Sequence, residues 1–346
     1  MKKMILSLGI ILSMVSCGED PIPPQPSEHE GIVVAGQITS DVTWYSDSIY
    51  TIIGRVAVVD GVTLTIEPGC IIKGAPGLGA NASVLIIARG GKIMAEGTPG
   101  APIIFTTAAD SIQPGQLVSP NLDETNTGLW GGVVILGRAP ISASASPLQI
   151  EGVPSSDHNG LYGGDNSHDY SGVMKYVSIR HGGTNIGQGN EINGLTLGGV
   201  GFPTTIENIE IIGNQDDGLE LFGGYVNVQN VIVWGQQDDG IDIDQAYQGN
   251  ISNFVVICGN QSDHALEIDG PEGTSTGSFT MEYGTLYSDN DTAQCHFRDG
   301  AEGYISMSGI FNIEADAGTN VVVDTLVIGA NEEVFDWTAT HALGKI

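Results

Sequence analysis

The residues best placed for chemistry are two aspartate pairs that recur at a fixed spacing. Residues 208–221 recur 22 positions later as residues 230–243, which aligns Asp216-Asp217 with Asp238-Asp239. A third, looser copy at residues 254–268 carries Asp263-His264 at the same place. If each copy is one coil of a stack, equivalent residues lie about 4.8 Å apart. Three ladders follow: Asp216, Asp238 and Asp263; Asp217, Asp239 and His264; Glu220, Asp242 and Glu267.

Carboxylates at this spacing repel one another, so they need water, a cation or a shared proton. One interpretation is structural, because Asp-Gly sequences form turns whose side chains accept hydrogen bonds from local main-chain N–H groups. Gly218 and Gly240, which follow the pairs, favour it. A second interpretation is a Ca²⁺ site that takes oxygen ligands from neighbouring coils, with Asp216, Asp238 and Asp263 as ligands. The acidic composition favours calcium, although the spacing is not that of a known calcium loop.

A third interpretation is glycoside hydrolysis by a carboxylic acid and a carboxylate base that admit a water between them. The succession of Asp217, Asp238-Asp239 and His264 resembles the acids of polygalacturonase-type β-helix hydrolases. The resemblance implies that Asp239 is the acid, that Asp217 and Asp238 bind and activate the water, and that His264 lies beside them. His264 lacks the flanking glycines of that family, and no Arg-Ile-Lys motif follows it.

A lyase would instead need a base and cations beside a uronic acid sugar. Arg180-His181 is the one pair of that type in the sequence. The alternative is structural, with Arg180 paired to a nearby acid and His181 in a turn. His158 and His168 also lie among acidic residues. They are candidate metal ligands, and the alternative is that they belong to a solvated loop.

The elements that would position these residues are short strands. Leu219-Glu220-Leu221 and Ile241-Asp242-Ile243 alternate with period two, and no helical stripe runs through a copy. Repeats of this length with Gly and Asn turns indicate a stacked solenoid. The sequence therefore predicts an all-β chain, a right-handed parallel β-helix.

Upstream segments extend this pattern. Alternating apolar residues surround Pro68-Gly69, and similar runs follow at 88–107, 130–137, 176–183 and 191–199. In this order the motifs resemble surface lipoproteins of Bacteroidetes that have a pectate-lyase-like β-helix body, over roughly residues 55–300. The resemblance implies a fold and a location but no activity. Polar insertions near 110–127 and 155–171 are expected as loops on one face.

The N-terminus predicts export. Lys2 and Lys3 precede a short apolar run that ends in Met14-Val15-Ser16-Cys17, which resembles a lipobox. We therefore expect a signal peptide at 1–16, a lipidated Cys17 with a Pro-rich tether at 17–30, and a β-helix domain at 31–346. The alternative is an ordinary secretory signal with an incidental cysteine. The acidic residues after Cys17 resemble a surface-export signal, so the predicted location is the outer membrane, facing outward and attached through lipid only.

Composition limits the partners. The chain has 41 acidic and 11 basic residues and a net charge of −30, which excludes nucleic acid as a partner. Three cysteines remain after lipidation, and Cys258 and Cys295 are either bridged or, as we expect, free and buried. The function we expect is non-catalytic binding of a polysaccharide or a surface protein. The alternative is a polysaccharide-degrading enzyme, whose groove would bring the acids beside exposed aromatics such as Tyr225, Trp234 or Tyr247.

Overall fold

The computed structural model describes residues 31–186, 192–288, 294–311, 314–315 and 320–324. The predicted signal peptide, Cys17 and the tether lie outside the described residues. Within the described part, helical structure is limited to two 3₁₀ turns, Gly79–Asn81 and His158–Gly160. None of the helices found there is long and apolar enough to span a bilayer.

Twenty-four strands account for the regular structure of the described residues. The first twelve are β1 (Ile32–Ile38), β2 (Val42–Trp44), β3 (Ile49–Val58), β4 (Thr63–Ile66), β5 (Ile71–Gly74), β6 (Val84–Ile87), β7 (Lys92–Glu96), β8 (Ile103–Thr107), β9 (Val133–Leu136), β10 (Leu148–Gln149), β11 (Leu161–Tyr162) and β12 (Gly172–Arg180). The others are β13 (Leu195–Gly198), β14 (Thr205–Ile212), β15 (Leu219–Phe222), β16 (Asn227–Trp234), β17 (Ile241–Asp244), β18 (Asn250–Cys258), β19 (His264–Asp269), β20 (Phe279–Ser288), β21 (Gln294–Arg298), β22 (Glu302–Phe311), β23 (Glu314–Ala315) and β24 (Asn320–Asp324).

Parallel pairing arranges these strands in three columns along one axis. Sheet I runs through β2, β4 and β7 and continues in the first halves of β12, β14, β16, β18 and β20. Sheet II runs through β5 and β8 into the second halves of the same long strands. Sheet III runs through β6, β9, β13, β15, β17, β19, β21 and β23. This arrangement confirms the predicted all-β parallel β-helix.

The long strands bend between sheets I and II at one residue in the left-handed region. The bend residues are Tyr176, Asn208, Asn230, Asn253 and Tyr283, with φ between 51° and 60°. Asparagine adopts this conformation more easily than most residues because its short side chain can hydrogen-bond locally. Here the side chains also bond to one another, since Nδ2 of Asn230 donates to Oδ1 of Asn208 (2.9 Å) and Nδ2 of Asn253 donates to Oδ1 of Asn230 (3.1 Å).

The inward side chains stack into one continuous apolar core. Leu195, Leu219, Ile241 and Leu266 form one such ladder and are all fully buried. Each side chain buried in this way contributes about 1.5–3 kcal/mol. Since each coil covers its neighbours, the strands depend on stacking for their stability.

The three described cysteines, Cys70, Cys258 and Cys295, are free and buried in the core. Burial raises the pKa of each thiol to about 12. The thiols are therefore protonated at neutral pH and pack as small apolar side chains.

Two long connections lie against the outside of the coil stack. In the 110–127 segment the buried carboxylate of Asp110 accepts hydrogen bonds from Thr106 and Ser119 (2.9 and 2.8 Å), and Nζ of Lys73 donates to its carbonyl (2.7 Å). The connection from β9 to β12 contains the antiparallel pair β10–β11. Its Tyr162 packs on Phe222 and covers the apolar upper part of the outer face of sheet III. Below that cover, the same face becomes acidic.

Candidate functional site

An acidic row runs down the outer face of sheet III where the cover ends. Strand register pairs Glu220 with Asp242 and Asp242 with Glu267, as the repeat predicts. The row continues upward to Thr196 and downward to His296. Burial decreases along it, because the side chains of Glu267 and His296 are 12% and 36% exposed, whereas Glu220 is buried and contacts Asn193. We call Glu220, Asp242 and Glu267 the acidic row.

A second ladder lies in the turns that lead into this face, and its carboxylates bind the main chain of the next coil. Oδ1 of Asp217 accepts a hydrogen bond from the main-chain N–H of Asp239 (2.8 Å). Oδ1 of Asp239 accepts one from the main-chain N–H of His264 (2.8 Å) and lies 2.8 Å from Nδ1 of the His264 ring. Both aspartates are buried. Asp217, Asp239 and His264 form this turn ladder, which joins successive coils.

The glycines after the aspartate pairs are required for close packing. Neither Gly218 nor Gly240 has a positive φ, so a turn conformation does not explain them. A Cβ at Gly218 would lie 2.3 Å from Cγ1 of Val233, and one at Gly240 would lie 2.4 Å from Cγ1 of Val256. The structural interpretation therefore needs correction at Asp217 and Asp239, because their side-chain hydrogen bonds reach the next coil and the glycines after them make room for neighbouring strands.

Burial and mutual repulsion raise the pKa of three of these carboxyl groups well above the ordinary range. Burial is the main cause that raises the pKa of Asp217 and of Asp242, and repulsion by neighbouring aspartates raises both further. Glu220 is raised by burial and by Asp242. Burial and repulsion therefore favour the protonated form of Asp217, Glu220 and Asp242 over a cluster of adjacent carboxylates.

A contact between the turn ladder and the acidic row joins an ionised carboxylate, Asp239, to a protonated carboxyl group, Glu267. Burial alone would raise the pKa of Asp239, but hydrogen bonds from His264 and Glu267 lower it below the ordinary value. Burial and the bond to Asp239 raise the pKa of Glu267 to about 8. The hydrogen bond to Asp239 also raises the pKa of His264. At neutral pH, Asp239 is therefore the anion and Glu267 carries a proton.

Basic groups lie at the lower end of the row. Nη1 of Arg298 is 2.8 Å from Oε1 of Glu267, and its Nε is 2.5 Å from Oδ1 of Asp269. Burial and Asp269 raise the pKa of Asp244, next to this pair, to about 7. Positive charge from Arg298 thus adjoins the row at its lower, more exposed end, beside Glu267 and Asp269.

The proposed calcium ligands do not come together as one group in the described residues. Asp216 and Asp238 approach Asp217, whereas Asp263 approaches Asp239 and His264. Each group offers one ligand atom per residue, with these atoms within 4.8 Å of one another. The prediction of bound Ca²⁺ at Asp216, Asp238 and Asp263 remains a prediction, and two separate clusters replace the single ladder on which it was based.

The geometry also bears on hydrolysis. Asp217 and Asp239 are buried and bonded to main-chain N–H groups, while Asp238 is exposed. Asp239, the anion, and Glu267, which carries a proton, have carboxyl oxygens within 4.8 Å of each other and share a hydrogen bond. Retaining enzymes separate their carboxyl groups by about 5–5.5 Å and inverting enzymes by about 6.5–9.5 Å. The space that a glycosidic bond would need between this pair is filled by their own contact.

Other sequence candidates occupy structural positions. Arg180 is buried, and its Nη2 lies 3.2 Å from Oε2 of Glu210. This is the ion pair with a nearby acid that the structural alternative to a lyase site predicted. Tyr247 is buried, and its hydroxyl donates to the carbonyl of Val226 (2.5 Å), so its selection as an exposed aromatic was wrong. Tyr225 and Trp234 are half-buried.

A groove that the sequence did not identify lies on the outer face of sheet II. It has a volume of about 370 Å³ and runs between the 110–127 segment and the strand ends of β16 and β18. The groove is lined by Trp234 and Ile257, by the amides Gln236, Gln237, Asn260 and Gln261, and by Glu124, Thr125 and Thr127. Its two signals in the sequence were the insertion and the lone Trp234, but only packing brings them together.

Glycines let the 110–127 segment approach the coils at this groove. Gly213 and Gly235 have φ of 62° and 73°. A Cβ at either position would lie 2.9–3.0 Å from the carbonyl oxygen of Glu124. The wall of the groove therefore depends on two positions where a side chain would be strained and crowded.

Comparison with known proteins gives one match. A search of curated proteins and a search of solved structures each found nothing similar to this chain. A family profile described as "Pectate-lyase like beta helix domain" matches residues 36–339. The match spans most of the sequence, and it includes both the acidic row and the groove. This chain therefore belongs to the family of pectate-lyase-like beta helix domains.

Proposed function

We propose that this protein binds a neutral glycan, without catalysis, in the groove beside Trp234. The observation that carries the proposal is the combination of an aromatic side chain, four amides and one carboxylate along a single open groove. Its volume of about 370 Å³ lies at the lower end of the usual range of roughly 300–1,000 Å³ for small-molecule sites. Membership of a pectate-lyase-like family also supports a role with carbohydrate.

The lining suits the surface of a sugar ring. A pyranose has an apolar C–H face that packs on a flat aromatic ring, and hydroxyl groups around its rim that need donors and acceptors. Trp234 supplies the apolar surface, and Ile257 extends it. Gln236, Gln237 and Asn260 supply amide donors and acceptors at the edge of that surface.

Charge selects the class of glycan. The residues that line the groove include Glu124 and no lysine or arginine. The whole chain has a net charge of −30. A uronic acid polymer would meet repulsion without a basic group to offset it, so a neutral polysaccharide is the partner that the groove favours.

Catalysis is the alternative, and the geometry supports it less. The groove lining does not include Asp217, Asp238, Asp239 or His264. Asp217 and Asp239 are committed to main-chain hydrogen bonds between coils.

The proposal includes attachment to the outer membrane, facing outward, through a lipid on Cys17. It is supported by the lipobox-like sequence Met14-Val15-Ser16-Cys17 and the Pro-rich stretch at residues 21–26. A tether of that composition is extended and would hold a binding module away from the membrane.

Binding to neutral and acidic polysaccharides tests the proposal. The full chain with Cys17→Ser is screened by affinity electrophoresis and calorimetry, with release of reducing ends measured in parallel. We expect saturable binding of a neutral glycan that is about 5–150-fold weaker in Trp234→Ala, taking as a guide the about 1–3 kcal/mol of a nucleic-acid base stacked on an aromatic side chain. Tyr304→Ala is the control, because Tyr304 is a 38% exposed aromatic on sheet I.

Two results would overturn the proposal. Equal affinity in the Trp234 and Tyr304 variants would remove the groove from binding. Release of reducing ends that disappears in Asp239→Asn would replace the binding module by a hydrolase.

A further inference from the structure

We propose that His264, Glu267 and His296 form a binding site for a divalent transition-metal ion such as Zn²⁺. His264 begins β19, Glu267 lies three residues later, and His296 is the strand partner of Glu267 on β21. One ligand atom from each residue lies within 4.8 Å of the others. The two imidazole rings are 5.0 Å apart between centroids.

The donor set selects the kind of metal. Imidazole nitrogen binds zinc, copper, nickel and iron, whereas Ca²⁺ takes oxygen ligands almost exclusively. Two histidines with one carboxylate supply three ligands and leave a fourth position open, a common arrangement for Zn²⁺. This site therefore differs in chemistry from the all-aspartate cluster of Asp216, Asp217 and Asp238.

Asp239 prepares one ligand. Its Oδ1 lies 2.8 Å from Nδ1 of His264, which fixes the ring and leaves Nε2 as the nitrogen for a metal. A carboxylate behind a ligating histidine is the usual way in which proteins orient such a ring and increase its basicity. Asp239 would therefore serve as a positioning residue, in addition to its bond to the main chain of His264.

His296 has an unused nitrogen. Its Nδ1 is buried and has no hydrogen-bond partner among the described residues, although it lies 3.4 Å from Oε1 of Glu267. A buried polar atom without a partner carries an energetic cost. A metal ion bound between His296 and Glu267 would remove that cost, and it would displace the proton that Glu267 otherwise holds at neutral pH.

The surrounding charge favours a cation, with one opposing group. Asp239 and Asp263 approach His264, and Asp242 adjoins Glu267. Arg298 opposes binding, since its Nη1 is 2.8 Å from Oε1 of Glu267. Its Nε also pairs with Asp269, so the guanidinium retains a carboxylate partner when Glu267 turns to a metal.

The thiols of the described residues do not compete for the ion. Cys258 and Cys295 are buried with pKa values of about 12, and a thiol binds zinc as the thiolate. The site itself is accessible, because the side chains of His264 and His296 are 18% and 36% exposed.

Metal titration of the full chain carrying Cys17→Ser tests this site. Calorimetry and equilibrium dialysis with Zn²⁺ at pH 7.5 should show a single saturable ion per chain, and Co²⁺ should give visible absorption bands of a nitrogen- and oxygen-ligated site. We expect His296→Ala to weaken Zn²⁺ binding at least about tenfold, and Asp239→Asn to weaken it about 10–100-fold without removing a ligand. His168→Ala should bind like the parent, because this exposed histidine belongs to no group of three potential ligands among the described residues, although the sequence had made it a candidate.

Circular dichroism and the melting temperature of each metal-free variant establish whether it is folded before its affinity is compared. His296 is the main test position because its exposure makes misfolding of the variant least expected. The site is refuted if Zn²⁺ does not bind saturably, or if His296→Ala binds it as well as His168→Ala does. It is also refuted if Ca²⁺ displaces Zn²⁺ at equal concentration, since that would show an all-oxygen site.

Discussion

The clearest test of the turn ladder is Asp239→Ala. Asp239 is 2% exposed, and its carboxylate accepts the main-chain N–H of His264 and contacts the ring Nδ1 of the same residue, both at 2.8 Å. If the carboxylate joins coils, its removal should open the structure locally at His264. If it were mainly a catalytic acid, removal would leave local stability nearly unchanged.

The expected loss follows from the two contacts. A buried N–H without an acceptor costs about 1–3 kcal/mol, and a hydrogen bond to a charged acceptor contributes about 1.5–3 kcal/mol. Relief of repulsion with Asp217 and Asp242 offsets part of the sum, because Asp239 raises the pKa of both. We therefore expect a net local loss of about 3 kcal/mol, and about 1 kcal/mol in Asp239→Asn, which keeps an acceptor oxygen.

Amide hydrogen exchange measures this local opening directly. A loss of about 3 kcal/mol corresponds to roughly 100-fold faster exchange at the His264 amide. Asp238→Ala is the matched control, because Asp238 belongs to the same pair but is exposed. Exchange at His264 in Asp239→Ala that stays within about threefold of the parent, or that equals the exchange in Asp238→Ala, would refute the structural role.

Three further outcomes follow from the same geometry. Asn230→Gly should lower the free energy of unfolding in urea by about 1–2 kcal/mol, because the side-chain hydrogen bonds to Asn208 and Asn253 are lost. Asn230→Ala should lower it by about 1 kcal/mol more, because alanine is strained at a φ of 57°. An Ala variant as stable as the Gly variant would contradict this expectation. Stability should fall as pH rises from about 5 to about 8. In the folded chain the pKa of Glu267 is about 8, against an ordinary 4.5, and the pKa of Asp244 is about 7, against an ordinary 3.8. The folded chain therefore binds more protons than the unfolded chain in this pH range. Thermal melts should show a shallower slope in Glu267→Gln, and a higher melting temperature at pH 8.5 than at pH 5 would refute the assignment. Gly235→Ala should loosen the 110–127 segment, because its Cβ would lie 3.0 Å from the carbonyl of Glu124; limited proteolysis should cut that segment faster, and unchanged cleavage would count against the packing.

The repeat predicted the fold and the register of the acidic row because stacking in a β-helix is one residue to one residue. A spacing of 22 between Glu220 and Asp242 therefore becomes a strand pair directly. The same arithmetic placed Asp217 above Asp239. It did not reveal that the bond runs from a side chain to the main chain of the next coil, since periodicity contains no rotamer information.

The groove and the exposure of the aromatics depended on contacts that no repeat describes. Tyr247 lies 22 positions after Tyr225, yet its ring packs in the core, where its hydroxyl donates to the carbonyl of Val226. Trp234 gains its neighbours from a segment more than 100 residues earlier, held by Lys73 and Asp110. Such packing between an insertion and a distant coil is tertiary, so pattern analysis could name the parts without joining them.

In this protein the most regular residues are the least suited to chemistry. Every coil must provide hydrogen-bond partners for the same main-chain groups and must pack on the same neighbours. Residues that recur from coil to coil, such as Asp217 and Asp239, are therefore explained by the main-chain N–H groups that they bind. Function is better sought where the pattern breaks. The 110–127 segment breaks it by insertion and forms a wall of the groove at Trp234. His296 breaks it by substitution, since it places an imidazole where the row above has carboxylates. The glycan and metal proposals both rest on these departures, and each can fail without the other.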